Sequence, residues 1–207
     1  MKKNYLFILL VSLCFLSFET QATVIFVDHS ATGTNAGSSW TNAYTALQDA
    51  INASSVGDEV WIAAGTYKPT LDPSSGTASG NTRDYAFYLD KNIEIYGGFA
   101  GTETLLSQRN STSNAVILSG DIDASGNNDC YHVFITEGLS SAAVLDGLTI
   151  SGGIANGSSS ISYSGQTYDQ NKGGGMYNSS SSPTLTDVTI SGNTATGSGG
   201  GMYNSSS

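Results

Sequence analysis

The chain has 207 residues, with seven Lys and Arg against 17 Asp and Glu and a formal charge of −10 at pH 7. So acidic a surface repels phosphate backbones and anionic lipid, which excludes nucleic-acid and membrane-surface binding by electrostatics and leaves divalent cations as the natural ionic partners. Two cysteines exclude a disulfide framework, and 25 glycines in a Ser/Thr/Asn-rich chain argue for many short strands joined by tight turns.

Lys2 and Lys3 precede an apolar run from Tyr5 to Phe18, closed by Glu19-Thr20-Gln21-Ala22. This is the pattern of a secretory signal peptide over residues 1–22, with cleavage expected after Ala22. The run falls short of the roughly 20 residues that a membrane span needs. A permanent N-terminal anchor and a lipoprotein built on Cys14 are the weaker alternatives. Leu13 is larger than the small residue that a lipoprotein cleavage site presents. Removal of the signal leaves the mature chain one charge unit more acidic, with Cys130 as its sole cysteine, expected to be a buried, unreactive thiol.

Thr23 to Asp28 is rich in β-branched and aromatic side chains and reads as a first strand, followed by a turn-rich stretch from Ser30 to Ser39. Trp40, Tyr44, Leu47 and Ile51 recur at three- and four-residue spacing, which predicts a helix over Trp40–Ala53 with Ser39 or Thr41 as N-cap and Val56-Gly57-Asp58 beyond its end. A strand over Glu59–Ala64 breaks at Gly65, and the stretch from Lys68 to Arg83 reads as a loop. Short strands are then expected at Tyr85–Leu89, Asn92–Tyr96, Ala115–Leu118, His132–Thr136, Ala143–Leu145 and Leu148–Ile150, with sharp turns at Gly97-Gly98, Ser119-Gly120 and Ser151-Gly152-Gly153.

Internal repetition decides the architecture. Gly173 to Ser181 recurs unchanged as Gly199 to Ser207, 26 residues on, and Leu145 to Gly152 is echoed by Leu185 to Gly192 after 40 residues. The longer spacing is explained by a loop inserted over Asn156–Lys172. Each unit has too few apolar residues to fold alone. Stacked about 4.8 Å apart, the units would pair each strand with its equivalent in the next turn, giving an all-β, right-handed, single-stranded parallel β-helix. The helix would cap its N-terminal end. The expected organisation is a signal peptide (1–22), an N-terminal strand and capping helix leading into the first turn (23–67), turns with loop insertions (68–172) and 26-residue repeats (173–207). The repeats read as cut short at Ser207, which suggests a fragment whose last turn would fray or aggregate.

Several stretches carry a resemblance. Val27-Asp28, Gly37 to Trp40, Ala43-Tyr44, Leu47 to Ile51, Gly57 to Ala63 and Gly65 to Tyr67 resemble the N-terminal section of secreted bacterial β-helix proteins of the pectin-lyase-like superfamily, as do Ile95 to Glu103 and Ser119 to Asp123. Gly173 to Asn178 and Thr184 to Thr194 are similar to polymorphic outer-membrane protein repeats. The resemblance implies secretion or surface display, often through a type IX sorting domain or an autotransporter barrel. It says little about activity, because the superfamily includes lyases, hydrolases and adhesins.

Catalytic constellations are weak. A lyase needs a cation and a basic residue, and a hydrolase needs paired carboxylates. Arg83 and Arg109 read as solvated loop residues and His29 and His132 as structural histidines, so no catalytic residue is assigned. The Asn-Thr-Asp, Asp-Asp and Gly-His-Gly clusters of polygalacturonases are absent from the sequence. Asp121, Asp123, Ser125 and Asp129 place oxygen side chains at positions 1, 3, 5 and 9 of a calcium-type loop, but His132 stands where the bidentate Glu belongs. An Asx-rich turn is therefore the favoured reading and Ca²⁺ the alternative. Asn178, Asn193 and Asn204, with Tyr177 or Tyr203, could contact sugars; left-handed turns or stacked amide ladders explain them more economically. The expected function is that of an exported, non-enzymatic, adhesin-like β-helix contacting surface glycans or polysaccharide. The alternative is a polysaccharide lyase or glycoside hydrolase with its catalytic residues beyond Ser207.

Overall fold

The computed structural model describes residues 22–78, 80–123 and 129–206, so the apolar run assigned to the signal peptide lies outside the described residues. The chain begins with β1 (Val24–Val27) and α1 (Leu47–Ala53), then runs β2 (Glu59–Ala63), β3 (Gly65–Tyr67), β4 (Phe87–Leu89), β5 (Glu94–Phe99), β6 (Val116–Ser119), β7 (Phe134–Glu137), β8 (Val144–Asp146) and β9 (Leu148–Ser151). After β10 (Ile154–Ala155) come β11 (Ser160–Tyr163), β12 (Gln166–Asp169), β13 (Met176–Ser179), β14 (Thr184–Thr186), β15 (Thr189–Ser191), β16 (Thr194–Ala195) and β17 (Met202–Ser205).

Three sheets are interleaved in sequence, ordered β1-β2-β5-β8-β14, β3-β6-β9-β15 and β4-β7-β13-β17, and all their pairings are parallel. From β2 onward each circuit thus lays one strand on each sheet, with β1 and α1 ahead of the first full circuit, and the fold is a parallel β-helix. The register matches the repeats: Met176 pairs with Met202 and Leu145 with Leu185. Equivalent side chains consequently stack in files. Ile25, Val60, Ile95, Leu145 and Leu185 form one, Tyr67, Leu118, Ile150 and Ile190 a second, and Phe87, Phe134, Met176 and Met202 a third. The three converge in a single apolar core, except that Leu185 at the end of the first file is exposed. At about 1.5–3 kcal/mol for each fully buried large apolar side chain, these files supply the main stabilisation that the short repeats lack individually.

The helix is half as long as its spacing predicts. Tyr44 pairs with β1 as an isolated bridge, its N–H donating to the Phe26 carbonyl at 2.9 Å and its carbonyl accepting from the Asp28 N–H at 2.9 Å. Trp40 turns outward, with its ring centroid 4.8 Å from Phe26 and 5.5 Å from Phe99, and its Nε1 donates to the Glu103 carbonyl. Trp40 thus belongs to an aromatic cluster with Phe26, Trp61 and Phe99, while Tyr44 packs against the core from a strand position, so their spacing does not make a helical stripe. Ala46 is the N-cap, without a side-chain bond, in place of Ser39 or Thr41. The remaining Leu47, Ala50 and Ile51 enter the core, and Gln48 reaches the outer edge of β4, so the capping role stands.

Gly97-Gly98 is a β-bulge within β5 and not the turn that the glycines suggest. The register between β2 and β5 shifts between Trp61 and Ala63, and Gly98 has φ 101°. The Asn156–Lys172 insertion contains the antiparallel hairpin β11–β12, which packs Ile161, Tyr163 and Tyr168 against Tyr88, Ile135, Tyr177 and Tyr203 on the outer face of the third sheet. Among the described residues no helix is long and apolar enough to cross a membrane.

Candidate functional site

The arginines are anchored, contrary to their reading as solvated loop residues. Arg83 donates through Nε to the Asp129 carbonyl at 3.0 Å and through Nη2 to the Ile154 carbonyl at 2.9 Å, with its guanidinium 4.1 Å above the Tyr131 ring. It ties together segments 46 and 71 residues away. Arg109 pairs with Asp146 at 2.6 Å and donates to the Gly97 carbonyl, lying 5.3 Å from the Tyr96 ring centroid. Only packing of distant turns places these partners, so neighbouring residues in sequence give no sign of them.

Arg109 and Asp146 line an open groove of about 500 Å³ with Leu106, Asn110, Thr186 and Asp187. A second recess of about 100 Å³ shares Ser111 and Asp187 with it and extends over Thr149 and Thr189 on the outer face of the second sheet. Asp187 has φ 49°, and Gly147 at the equivalent position of the previous turn has φ 72°, so a left-handed corner recurs along this groove. The Asp187 carboxylate accepts from the Ser111 hydroxyl, while Asp146 Oδ1 is buried without a hydrogen-bond partner. The lining thus offers hydroxyls, amides, carboxylates and one guanidinium along a shallow path.

The asparagines are structural, by two routes. Asn178 is buried; it accepts from Thr136 Oγ1 at 2.6 Å and donates through Nδ2 to Asn204 Oδ1 at 2.7 Å, so an amide ladder runs inside the third sheet. Asn193 accepts from the Gly153 N–H and donates to the Ile150 carbonyl, stapling one turn to the next. None of the three adopts left-handed backbone; Asn35, Ser164, Ser180 and Asp187 do so. Tyr177 is buried beneath the hairpin, and Tyr203 packs at its margin with Lys172 Nζ 5.1 Å from its ring centroid. Two phenols, Tyr88 and Tyr168, donate to one Glu137 carboxylate.

His132 is 1% exposed and places Nδ1 3.0 Å from the Gly173 carbonyl, which can only accept, so Nδ1 carries the proton and Nε2 is left without a partner. Burial pushes its pKa down to about 4, ahead of the opposing effect of the Gly173 and Lys172 backbone and Asp169. A folded pKa below the unfolded value near 6.5 means that its contribution is complete above pH 6.5 and is lost as pH falls from there towards 4. About 2 kcal/mol should be lost between pH 7.5 and 5. Asp84 and Asp129, whose carboxyls burial pushes up, titrate in the opposite sense. The check is therefore a difference: denaturant unfolding of the wild type and His132→Asn across this range should show a slope that the variant lacks.

Cys130 is buried, and burial raises its thiol pKa well above the ordinary value, which suppresses the thiolate. Of the oxygen residues in the calcium-type loop, Ser125 lies outside the described residues, while Asp121, Asp123 and Asp129 come together. Comparisons with protein-family models, curated proteins and solved structures each return no match.

Proposed function

We propose that this is an exported cell-surface or extracellular β-helix that holds glycans in the groove between the Leu106–Ser111 segment and the outer faces of the first two sheets, without turning them over. The observation that carries this reading is the groove lining: Ser111, Thr149, Thr186 and Thr189 offer hydroxyls, Asn110 an amide and Asp187 a carboxylate that can accept from paired sugar hydroxyls. Export is supported by the basic and apolar N-terminal pattern. The likeness to pectin-lyase-like and polymorphic outer-membrane repeat proteins points the same way. A binding rather than catalytic role is favoured because Arg109 is spent on Asp146 and the Gly97 carbonyl, and His132 is buried with a depressed pKa.

Thr189 is exposed on β15 and supplies no hydrogen bond that the fold depends on among those described, so Thr189→Arg should fill the groove at little cost to stability. On immobilised polysaccharides, the wild type should be retained and Thr189→Arg should bind at least roughly tenfold more weakly, a loss of about 1.4 kcal/mol. Equal retention of both would remove the groove from the proposal. Reproducible lyase or reducing-sugar turnover by the wild-type protein would replace binding with the rival polysaccharide-degrading activity.

A further inference from the structure

A second site lies at the corner between β6 and β7, away from the groove. The corner is closed at its base. The Cys130 N–H donates to the Gly120 carbonyl at 2.9 Å, the Gly120 N–H donates to Ser151 in the next turn at 2.8 Å, and Ser119 Oγ accepts from the Asp121 N–H at 3.3 Å. These bonds fix Asp121 and Asp129 side by side at the two ends of the excursion. Arg83 secures the Asp129 end by donating to its backbone carbonyl at 3.0 Å, which leaves the carboxylate to face elsewhere.

One carboxylate oxygen from each of Asp121, Asp123 and Asp129 lies within 4.8 Å of the other two. Asp129 is the informative member. It is 5% exposed, yet its Oδ1 has neither solvent nor a hydrogen-bond partner, a costly state for a carboxylate unless a cation completes it. We infer that Asp121, Asp123 and Asp129 form a Ca²⁺ site, in which Asp129 Oδ1 is the buried ligand, the other two carboxylates close over the ion, and water fills the remaining positions.

The donor set selects the metal. All three ligands are hard carboxylate oxygens, which suit Ca²⁺ or Mg²⁺ over Zn²⁺. The neighbouring soft donors point elsewhere, since Cys130 is outside the cluster and His132 is turned to the Gly173 carbonyl. Two oxygens bound to one Ca²⁺ at about 2.4 Å can be at most about 4.8 Å apart, a limit that this cluster meets; Ca²⁺ is preferred over Mg²⁺ because it accepts an irregular, flexible oxygen shell, whereas Mg²⁺ demands near-ideal octahedral geometry at about 2.1 Å. Without the bidentate Glu of a full calcium loop, the dissociation constant should fall in the range of extracellular modules, about 10⁻⁴–10⁻³ M.

Calorimetric titration of the chain with CaCl₂ and thermal unfolding in 10 mM CaCl₂, 10 mM MgCl₂ or EDTA test the assignment. Ca²⁺ should bind with that affinity and raise Tm by roughly 5 °C over EDTA, with a smaller effect of Mg²⁺. Asp123→Asn, at an exposed position where folding is not at risk, should weaken binding at least roughly tenfold. Asp129→Asn should abolish the Ca²⁺ response while leaving Tm in EDTA unchanged or higher, because it removes a buried negative charge. No heat and no Tm shift up to 10 mM Ca²⁺ would overturn the site, and so would a Ca²⁺ response that survives both substitutions.

Discussion

Gly153→Ala is expected to cost about 3–5 kcal/mol, among the largest effects of any single methyl group in this chain. Its Cβ would sit 2.6 Å from the Gly174 carbonyl carbon and 1.8 Å from the carbonyl oxygen, the latter about half of a normal contact distance. The obstacle is backbone and cannot rotate away. Gly174 cannot retreat either, since its own N–H donates to the Gly199 carbonyl and its carbonyl accepts from the Val133 N–H. Gly138→Ala is the informative control: it has φ 65° but open space around it, so only the left-handed backbone penalty of about 1 kcal/mol applies. Denaturant unfolding should place Gly153→Ala far below Gly138→Ala, by roughly 5–15 °C when expressed as Tm. Equal losses would mean that conformational freedom, and not close approach of successive turns, explains the glycines there.

The same crowding explains what the sequence made legible. A solenoid repeats its contacts as well as its residues, so the exact recurrence of Gly173 to Ser181 and the echo of Leu145 to Gly152 disclose the register, and the pairings of Met176 with Met202 and Leu145 with Leu185 follow it. Features that occur once were harder to read. The hairpin over β11 and β12 reads as loop because Ser and Gly dominate it, although Ile161, Tyr163 and Tyr168 alternate with polar residues around Ser164-Gly165. Both turn residues have positive φ, 52° and 79°, the geometry of a two-residue hairpin turn, and a Ser-Gly dipeptide between alternating strands was the available signal. The helix failed in the other direction. Trp40 and Tyr44 keep helical spacing, but β1 offers Tyr44 a strand partner and Phe26 offers Trp40 an aromatic one, and tertiary contacts override a local period.

The two candidate sites were legible to different degrees for the same reason. The acidic corner is a local motif, so Asp121, Asp123 and Asp129 could be picked out by spacing alone, with the buried, unpartnered Oδ1 of Asp129 added by the fold. The groove is assembled from three successive turns: Arg109 meets Asp146 37 residues away, and Ser111 meets Asp187 76 residues away. No spacing rule joins such residues until the number of residues per turn is known, and here insertions make that number vary.

Gln48 provides the second large effect, because it does the work of a missing strand. The outer edge of β4 would expose the N–H and carbonyl of Tyr88, a template for pairing with another chain. Gln48, 7% exposed, covers both: Oε1 accepts from the Tyr88 N–H at 2.8 Å and Nε2 donates to the Tyr88 carbonyl at 3.1 Å, reproducing with one side-chain amide the two bonds of a neighbouring peptide group. Gln48→Leu keeps the volume and leaves both groups unsatisfied, which should cost about 2–4 kcal/mol at 1–3 kcal/mol for each partly buried polar group. Gln48→Glu separates the two bonds. Its ionised carboxylate can accept from the Tyr88 N–H but opposes the Tyr88 carbonyl, whereas the protonated acid can satisfy both. Thermal unfolding should therefore show Gln48→Leu destabilised at every pH, and Gln48→Glu destabilised at pH 7.5 but recovering relative to the wild type near pH 4. A Gln48→Leu protein within 1 kcal/mol of the wild type would mean that α1 caps the solenoid through Leu47, Ala50 and Ile51 alone, by covering apolar surface without closing the sheet edge.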